Sequence, residues 1–338
     1  MIRVAINGFG RIGRSAFKIA FANPELEIVA INDLSDTKTL AYLLKHDSNY
    51  GTYHKEVSST DDSIVVDGKK IAILAEKDPS LLPWDKLNID VVIESTGFFT
   101  KVEDASLHIR AGAKRVVVSA AIKNDENNPK AGNFLIGVNA DELANQEIIS
   151  NQSCTTNCIT PIAFIMEREF GIDKSMMTTV HAYTASQSLQ DSPSKDLREG
   201  RNAAENIVPT TTNATVAATK IIPSLKDNFL GLSVRVPVPV VSLSDFTILT
   251  KKDTTVEEVN AAIKHASESS QMKHILACTS EELVSSDFIG DPHSATVDLS
   301  LTQVVGGNMV KVVAWYDNEW GYSNRLVEMV EKAGKTTK

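Results

Sequence analysis

The chain has 338 residues, of which 42% are hydrophobic and 23% are charged, ordinary values for a globular protein. A chain of this length is expected to form about two domains and to bury a core without metals or disulfide bonds. Its formal net charge of −9 argues against a general nucleic-acid-binding protein, because such proteins normally carry a basic surface.

The cysteines and the apolar runs indicate the cellular environment. Three cysteines, Cys154, Cys158 and Cys278, are too few for a disulfide framework and favour a reducing compartment. No apolar run reaches the roughly 18 residues typical of a membrane span, and the first residues lack the pattern of a signal peptide. We therefore expect a cytoplasmic protein without membrane contact.

Short apolar runs alternate with helical patterns over the first 150 residues. Two segments, 12–20 and 40–44, place apolar residues on one helical face. Runs typical of buried strands lie at residues 4–6, 28–31, 91–93 and 116–118. This alternation predicts an α/β fold with a doubly wound parallel sheet, a Rossmann domain over residues 1–150.

The pattern changes after residue 150, where longer strand segments follow one another. Strands are predicted at 176–182, 232–237, 241–250, 295–304 and 309–316, and helices at 154–169, 214–220 and 255–267. They predict an α+β catalytic domain over residues 151–318 with a mixed, largely antiparallel sheet. A C-terminal helix at 323–333 is expected to pack on the first domain, which residues 319–338 would complete. The long polar segment 183–209 is typical of a functional loop.

A complete G-x-G-x-x-G pattern occupies residues 8–13. It directly follows a predicted strand and opens a predicted helix, as a dinucleotide-binding turn requires. Gly8 permits the tight turn, Gly10 lets the backbone approach a pyrophosphate, and Gly13 allows close helix–strand packing. Asp33 ends the second predicted strand, where its carboxylate suits an adenosine ribose and repels a 2′-phosphate. The pattern predicts NAD rather than NADP; a tight turn without a ligand is the alternative interpretation.

A possible nucleophile lies in the segment Ser-Cys-Thr-Thr-Asn-Cys at residues 153–158. Ser153 is a good N-cap, so Cys154 is expected in the first helical turn, where the helix dipole favours its thiolate. Cys158 is expected to be a small buried residue, and we expect no metal because no second Cys or His pair has zinc-ligand spacing. Among seven histidines, His181 is the best candidate base because its predicted strand runs into the polar loop. A structural role is the alternative for this histidine.

Five segments together resemble one enzyme family. They read INGFGRIG at 6–13, SCTTNC at 153–158, TTVHAYT at 178–184, RVP at 235–237 and WYDNEWGYS at 315–323. The combination resembles phosphorylating glyceraldehyde-3-phosphate dehydrogenase from the first residues to about residue 328.

This resemblance implies a reaction. Cys154 would attack the aldehyde of glyceraldehyde 3-phosphate with His181 as its base, and NAD would accept the hydride, leaving a cysteine thioester. Inorganic phosphate would then release 1,3-bisphosphoglycerate. The Cys154 backbone N–H and the His181 ring would stabilise the oxyanion. The resemblance also implies a homotetramer in which residues 183–207 form an inter-subunit loop.

The resemblance further implies two sets of binding residues. The cofactor would be held by Gly8, Gly10, Arg11, Ile12, Gly13, Asp33, Lys77, Thr96, Ser119 and Asn318. Lys77 stands where the family commonly has Arg, and Asn318 would orient the nicotinamide amide. The substrate and the attacking phosphate would contact Ser153, Thr155, Thr184, Arg198, Thr212, Asn213 and Arg235. A surface ion pair is the alternative for Arg235.

One segment departs from the family pattern and keeps two other functions open. Asn213 occupies a position that is usually glycine; asparagine tolerates left-handed backbone geometry, but its side chain could crowd an incoming phosphate. Erythrose-4-phosphate dehydrogenase, which hydrolyses the thioester, also has a bulky residue there. Thr184 and Tyr316 follow the glyceraldehyde-3-phosphate pattern instead. The third possibility is a dinucleotide-dependent binding or regulatory protein without turnover.

Overall fold

A computed structural model describes residues 1–123 and 128–336. The chain divides into two compact units, the first formed by Met1–Gln152 with Ser323–Lys338 and the second by Ser153–Tyr322. These boundaries differ by at most four residues from those expected from the sequence. Residues 337 and 338 of the expected C-terminal segment lie outside the described residues.

The strands of the first unit form one large sheet and one small pair. In chain order they are β1 (Ile2–Asn7), β2 (Leu26–Asn32), β3 (His46–Asp47), β4 (Gly51–Thr52), β5 (Val57–Ser59), β6 (Ser63–Val66), β7 (Lys69–Leu74), β8 (Val91–Glu94), β9 (Arg115–Val118), β10 (Ala131–Asn133) and β11 (Ile148–Ser150). β3 pairs with β4, and the others lie in the order β10-β11-β9-β8-β1-β2-β7-β6-β5.

The predicted parallel sheet is confirmed, with an antiparallel edge that was not predicted. β1 lies between β2 and β8 and is parallel to both, and its residues are almost all buried because helices cover both faces of such sheets. At the edge, β5, β6 and β7 pair antiparallel. Asp67 and Gly68 join β6 to β7 with φ of 47° and 79°, the geometry of a two-residue hairpin. This Asp-Gly signal is visible in the sequence.

Among the described residues, three α-helices belong entirely to the first unit: α1 (Arg11–Ala22), α2 (Thr37–Lys45) and α3 (Val102–Arg110). Short 3₁₀ helices lie at Pro79–Leu81 and Ala140–Asn145. The helices α1 and α2 are confirmed predictions. Asp36 begins α2 because its side chain accepts a hydrogen bond from the Thr39 N–H. α3 was not predicted; it buries only Val102, Ala105 and His108, a weak apolar pattern.

The second unit is built on an eight-stranded mixed sheet. Its strands are β12 (Ile172–Ala182), β13 (Val208–Thr211), β14 (Phe229–Val236), β15 (Ser242–Thr250), β16 (Leu276–Thr279), β17 (Ala295–Asp298), β18 (Gln303–Val305) and β19 (Met309–Tyr316). The order is β13-β14-β12-β15-β19-β17-β16, with β18 also on β19. Only β12–β14 and β16–β17 are parallel, so the predicted largely antiparallel sheet is confirmed.

One predicted strand is wrong. Residues 295–304 do not form a continuous strand, because a short 3₁₀ turn, Leu299–Leu301, separates β17 from β18. The side chain of Asp298 accepts hydrogen bonds from the N–H and the hydroxyl of Ser300. This side-chain cap offers the backbone an alternative to the sheet ladder and ends the strand.

The remaining helices are α4 (Cys154–Glu169), α5 (Ala214–Ile221), α6 (Val256–Glu268) and α7 (Trp320–Lys335). Their positions agree with the predictions, although α7 begins three residues before the expected start. Thr255 and Glu258 form a capping box at the start of α6. In the described part of the chain no helix is both long enough and apolar enough to cross a membrane.

Candidate active site

The turn between β1 and α1 requires its glycines for steric reasons. A Cβ atom on Gly13 would lie 2.1 Å from the carbonyl oxygen of Gly8, and one on Gly8 would lie 2.7 Å from the backbone nitrogen of Thr96. Gly8 also has a φ of +93°, which side-chain-bearing residues rarely adopt. Gly10 is different, because open space surrounds its Cβ position. A ligand can therefore approach the backbone at Gly10.

A cavity of about 370 Å³ opens beside this turn. Its lining includes Gly8, Gly10, Asp33, Lys77 and Thr96. The carboxylate of Asp33 accepts a hydrogen bond of 2.9 Å from the Phe9 N–H, which holds it at the cavity wall. The cavity thus combines open backbone and a carboxylate, as the adenosine diphosphate moiety of a dinucleotide requires, and Lys77 also lines it.

Four predicted cofactor residues of this unit, Gly13 and three others, do not line the cavity. Arg11 and Ile12 form the first turn of α1, where backbone N–H groups suit an anion. The Arg11 guanidinium contacts the Asp47 carboxylate at 2.7 Å. Ser119 follows β9, and its N–H donates to the carbonyl of Glu94.

A polar network that was not predicted from the sequence joins the ends of β1, β2 and β8. Glu94 is buried, and one of its oxygens accepts from the N–H and the hydroxyl of Thr96, at 2.8 and 2.5 Å. The other oxygen accepts from Asn7 Nδ2 at 2.6 Å and contacts His108 Nε2 at 3.0 Å. Asn7 in turn accepts from Asn32. Polar residues directly after apolar strand runs were the available signal.

In the second unit, Cys154 begins α4 as predicted. Ser153 is the N-cap residue, and its hydroxyl oxygen accepts from the Thr156 N–H at 3.1 Å. Cys154 is half-buried, whereas Cys158 is fully buried within the helix. Only Cys154 therefore combines the helix terminus with access for a ligand.

The structure brings His181 to Cys154. The distance from Cys154 Sγ to His181 Nε2 is 3.5 Å, although the residues are 27 positions apart. His181 is buried near the end of β12. Its Nδ1 lies 2.6 Å from the Ala182 carbonyl oxygen. When Nδ1 donates to this carbonyl, Nε2 faces the thiol as a hydrogen-bond acceptor.

Arg235 joins this pair because β12 and β14 are parallel neighbours. Their register places His181 opposite Arg235. Arg235 Nη1 lies 2.5 Å from His181 Nδ1 and 3.3 Å from the Ala182 carbonyl oxygen. Because a guanidinium only donates, Nδ1 accepts from Arg235 in this contact and Nε2 carries the proton. Nε2 becomes an acceptor for the thiol proton only when Arg235 leaves Nδ1 and Nδ1 donates to the Ala182 carbonyl. The alternative of a surface ion pair is not met: within the described residues Arg235 is half-buried and pairs with no carboxylate.

Burial is the largest influence on the pKa values of both His181 and Cys154. It lowers the pKa of His181 to about 3, and the Arg235 guanidinium acts in the same direction, so the imidazole is neutral at pH 7. Burial also raises the pKa of Cys154, while Arg235 and the hydrogen bonds at the helix start oppose the increase. The expected lowering of the Cys154 pKa is therefore wrong for the free chain, because desolvation outweighs the helix terminus.

A cluster of three hydroxyl groups lies behind the cysteine, and two of its members were not predicted to belong to the site. The hydroxyl of Tyr316 lies 3.0 Å from that of Thr155 and 2.8 Å from that of Thr179, and all three residues are buried. The Tyr316 ring also contacts the His181 ring edge to face. Thr179 could have been found, since it shares a strand face with His181.

Asn318 follows β19 and is buried. Its Oδ1 accepts a hydrogen bond of 3.0 Å from the hydroxyl of Ser242, a residue that was not predicted to belong to the site. Ser242 also accepts from the Ala182 N–H at 3.1 Å. Asn318 is therefore tied to the strand end that carries His181.

The other predicted phosphate-binding residues are more dispersed. Thr184 follows β12, and its N–H donates to Gln187. Arg198 is exposed on a hollow of about 530 Å³, and the Thr212 hydroxyl accepts from the Ala214 N–H. Asn213 has a φ of −96°, so this position uses ordinary backbone geometry and does not depend on the tolerance of asparagine for left-handed geometry. In the described structure none of these residues hydrogen-bonds to Cys154 or His181.

Two family models match the chain. The NAD-binding domain of glyceraldehyde 3-phosphate dehydrogenase matches residues 2–102. The C-terminal domain of the same family matches residues 153–318, which begin at the N-cap of the cysteine helix and end at Asn318.

Curated relatives cover nearly the whole chain. Proteins named glyceraldehyde-3-phosphate dehydrogenase from Streptomyces coelicolor and Geobacillus stearothermophilus are each 50% identical, over 98% and 97% of both chains. A protein named glyceraldehyde-3-phosphate dehydrogenase 1 from Kluyveromyces lactis is 47% identical over 98% of this chain and 99% of its own. The chain therefore belongs to the glyceraldehyde-3-phosphate dehydrogenase family of NAD-dependent oxidoreductases.

Proposed function

We propose that this chain oxidises and phosphorylates glyceraldehyde 3-phosphate to 1,3-bisphosphoglycerate, with NAD as the cofactor. The proposal depends above all on one contact, the 3.5 Å between Cys154 Sγ and His181 Nε2. A cysteine at a helix start beside a neutral imidazole provides both the nucleophile and the base that covalent catalysis at an aldehyde requires.

The reaction then follows from these two side chains. When Arg235 turns from His181 Nδ1 to the substrate phosphate, Nδ1 donates to the Ala182 carbonyl and Nε2 is free to accept a proton. His181 Nε2 then takes the thiol proton as Cys154 attacks the aldehyde carbon, and returning a proton to the oxyanion gives a hemithioacetal. The Cys154 N–H has no intrahelical acceptor, because it lies in the first turn; with the protonated His181 ring it stabilises the oxyanion. His181 next accepts the hydroxyl proton as the hydride leaves the carbon, and a thioester remains. Inorganic phosphate attacks this thioester, which releases the acyl phosphate and the Cys154 thiolate.

NAD supplies the hydride acceptor when it is bound. The fit of the first unit to this cofactor rests on the open backbone at Gly10 and the Asp33 carboxylate beside a cavity of about 370 Å³. We assign cofactor binding there to Gly8, Gly10, Arg11, Ile12, Gly13, Asp33, Lys77, Thr96 and Ser119. Asn318 in the second unit is assigned to the nicotinamide amide. The domain assignment is accordingly residues 1–150 with 319–338 for NAD binding and 151–318 for catalysis.

Two phosphate positions are proposed in the second unit. Arg235 and Thr184 would hold the phosphate of the substrate, because the half-buried guanidinium has no carboxylate partner among the described residues. The attacking phosphate is assigned to Ser153, Thr155, Arg198, Thr212 and Asn213. Since Asn213 is exposed, its side chain has room to turn its NH₂ group toward an incoming anion instead of crowding it.

We further propose that the enzyme is a homotetramer in the cytoplasm. The outer face of the second sheet exposes Met176, Leu230 and Met309 around a hollow of about 420 Å³. An apolar patch of this kind favours burial against another subunit. The three cysteines are free, which agrees with a reducing compartment.

Initial rates on two aldehydes test the proposed reaction. Glyceraldehyde 3-phosphate is expected to be the better substrate, with turnover that requires inorganic phosphate. Phosphate-independent turnover that favours erythrose 4-phosphate would instead assign the hydrolytic reaction.

A pair of cysteine variants tests the nucleophile. Cys154→Ser is expected to abolish oxidation while NAD binding, measured by calorimetry, is retained. Cys278→Ser, in which the altered cysteine is also half-buried but lies elsewhere, is the matched control and is expected to be fully active. Equal, slow alkylation of all three cysteines without turnover on either aldehyde would favour a binding protein.

A further inference from the structure

Three neighbouring strands of the second sheet end close together. β15 lies between β12 and β19. The ladder between β12 and β15 ends where Val180 is opposite Leu243, so the next N–H on that side of β12, at Ala182, needs another acceptor. Ser242, the first residue of β15, is opposite Tyr316 on β19, two residues before Asn318. Ser242 therefore stands where it can reach both neighbouring strand ends.

The Ser242 hydroxyl connects these ends through two hydrogen bonds. It accepts from the Ala182 N–H at 3.1 Å and donates to Asn318 Oδ1 at 3.0 Å. Ser242 is 2% exposed, and within the described residues these are its side chain's hydrogen bonds. A flipped Asn318 amide would present an NH₂ group, and the buried hydroxyl proton would then have no acceptor. The serine thus selects one orientation of the Asn318 amide, with Oδ1 inward and Nδ2 available to a ligand.

The residue before Ser242 adopts an unusual backbone conformation. Val241 has a φ of 72°, which is rare for a β-branched residue, and it is buried at 2% exposure. Such strain persists only where the surrounding structure enforces it, and it is found preferentially at functional sites. The positive φ of Val241 therefore indicates that tertiary contacts hold the backbone in place at the start of β15.

We propose that Ser242 is a positioning residue that orients the Asn318 amide for the nicotinamide carboxamide and ties it to the strand end carrying His181. This inference rests on the proposed function, since Asn318 is assigned to the nicotinamide there. A carboxamide oxygen requires an N–H donor, and the available Nδ2 of Asn318 is that donor. Because Ala182 directly follows His181, one hydroxyl group holds both the cofactor-orienting amide and the strand of the base.

A comparison of two ligands tests this role without measuring turnover. ADP-ribose contains all of NAD except the nicotinamide, so the ratio of the two affinities reports the nicotinamide contacts alone. Calorimetry on Ser242→Ala is expected to show about 5- to 10-fold weaker binding of NAD and a change of less than about twofold for ADP-ribose. Ser242→Thr retains the hydroxyl and is expected to restore NAD binding to within about twofold. A purely structural role would weaken both ligands together.

Two further variants distinguish an error in the proposed role of Ser242 from an error in the assignment of Asn318 to the nicotinamide. Ser244→Ala is the matched control, because Ser244 is buried on the same strand and has no bond to Asn318; it is expected to leave the affinity ratio unchanged. Asn318→Ala is expected to lower NAD affinity at least as much as Ser242→Ala. If Asn318→Ala weakens NAD and Ser242→Ala does not, the positioning role is wrong and the proposed function stands. If neither variant changes the ratio, the assignment of Asn318 to the nicotinamide fails as well.

Discussion

Replacing Glu94 by glutamine is expected to destabilise the first unit, although the two side chains have the same shape. Glu94 is buried, and both of its oxygens accept hydrogen bonds. His108 Nδ1 accepts from the Trp84 indole N–H at 2.9 Å, which donates only. His108 Nε2 therefore carries the proton and donates to Glu94. Asn7 also donates, because its own oxygen is occupied by Asn32.

The cost follows from the donors around the new amide. An NH₂ group on the side of His108 and Asn7 would face two donors that cannot become acceptors. On the other side the Thr96 hydroxyl can rotate, but the Thr96 backbone N–H cannot. Even when the new NH₂ group lies on the Thr96 side, the Thr96 backbone N–H and one amide N–H are left without acceptors. At about 1–3 kcal/mol for each of these two unsatisfied groups, the expected loss is about 2–6 kcal/mol in the free energy of unfolding.

Urea unfolding of Glu94→Gln measures this loss. Glu56→Gln, which changes an exposed glutamate of the same unit, is the control and should stay within about 0.5 kcal/mol of the parent chain. Because Thr96 lines the cavity beside Gly8, weaker ADP-ribose binding is expected as well. If the Glu94→Gln chain is as stable as the Glu56→Gln chain, the conclusion that two N–H groups lose their acceptors is wrong.

Three further changes test other parts of the structure. Gly13→Ala should abolish NAD binding in calorimetry, since its Cβ would lie 2.1 Å from the Gly8 carbonyl oxygen and would separate α1 from β1. His181 has a folded pKa of about 3 and an unfolded pKa near 6.5; the unfolded chain binds the extra proton, so the free energy of unfolding should fall by about 2 kcal/mol from pH 6.5 to pH 5. His181→Asn should remove that part of the slope in urea titrations at the two pH values; an equally steep slope would contradict the assigned shift. Tyr316→Phe should cost about 1–3 kcal/mol, measured by the same titration, because two buried threonine hydroxyls lose their shared partner; an unchanged midpoint would argue against this network.

Local patterns in the sequence determined much of the fold. The apolar runs that became β1, β2, β8 and β9 were evident because strands buried on both faces are continuously hydrophobic. The N-cap at Ser153 and the glycine turn at residues 8–13 were equally evident, since capping and tight turns depend on adjacent residues. Elements with weak or interrupted patterns, such as α3 and the split between β17 and β18, were missed or joined wrongly.

The family resemblance supplied roles for residues whose neighbours local patterns could not identify. One of seven histidines lies beside Cys154, and periodicity gave only a preference for His181. The contact with Arg235, 54 positions further along the chain, depends on the parallel register of β12 and β14. Polar residues that directly follow apolar strand runs, such as Glu94, are a local signal of the functional end of a parallel sheet.

The sequence by itself determined the order of helices and strands, the dinucleotide turn and the cysteine at a helix start, because each is set by interactions within a few residues. Only the tertiary structure decided that His181 and Arg235 meet, that burial raises the pKa of Cys154 and that Ser242 joins Asn318 to Ala182. These features depend on which strands are neighbours and on how much water the packed chain excludes. Many strand orders are compatible with the same local patterns. Local patterns therefore reveal neither which strands are neighbours nor how much water the folded chain excludes.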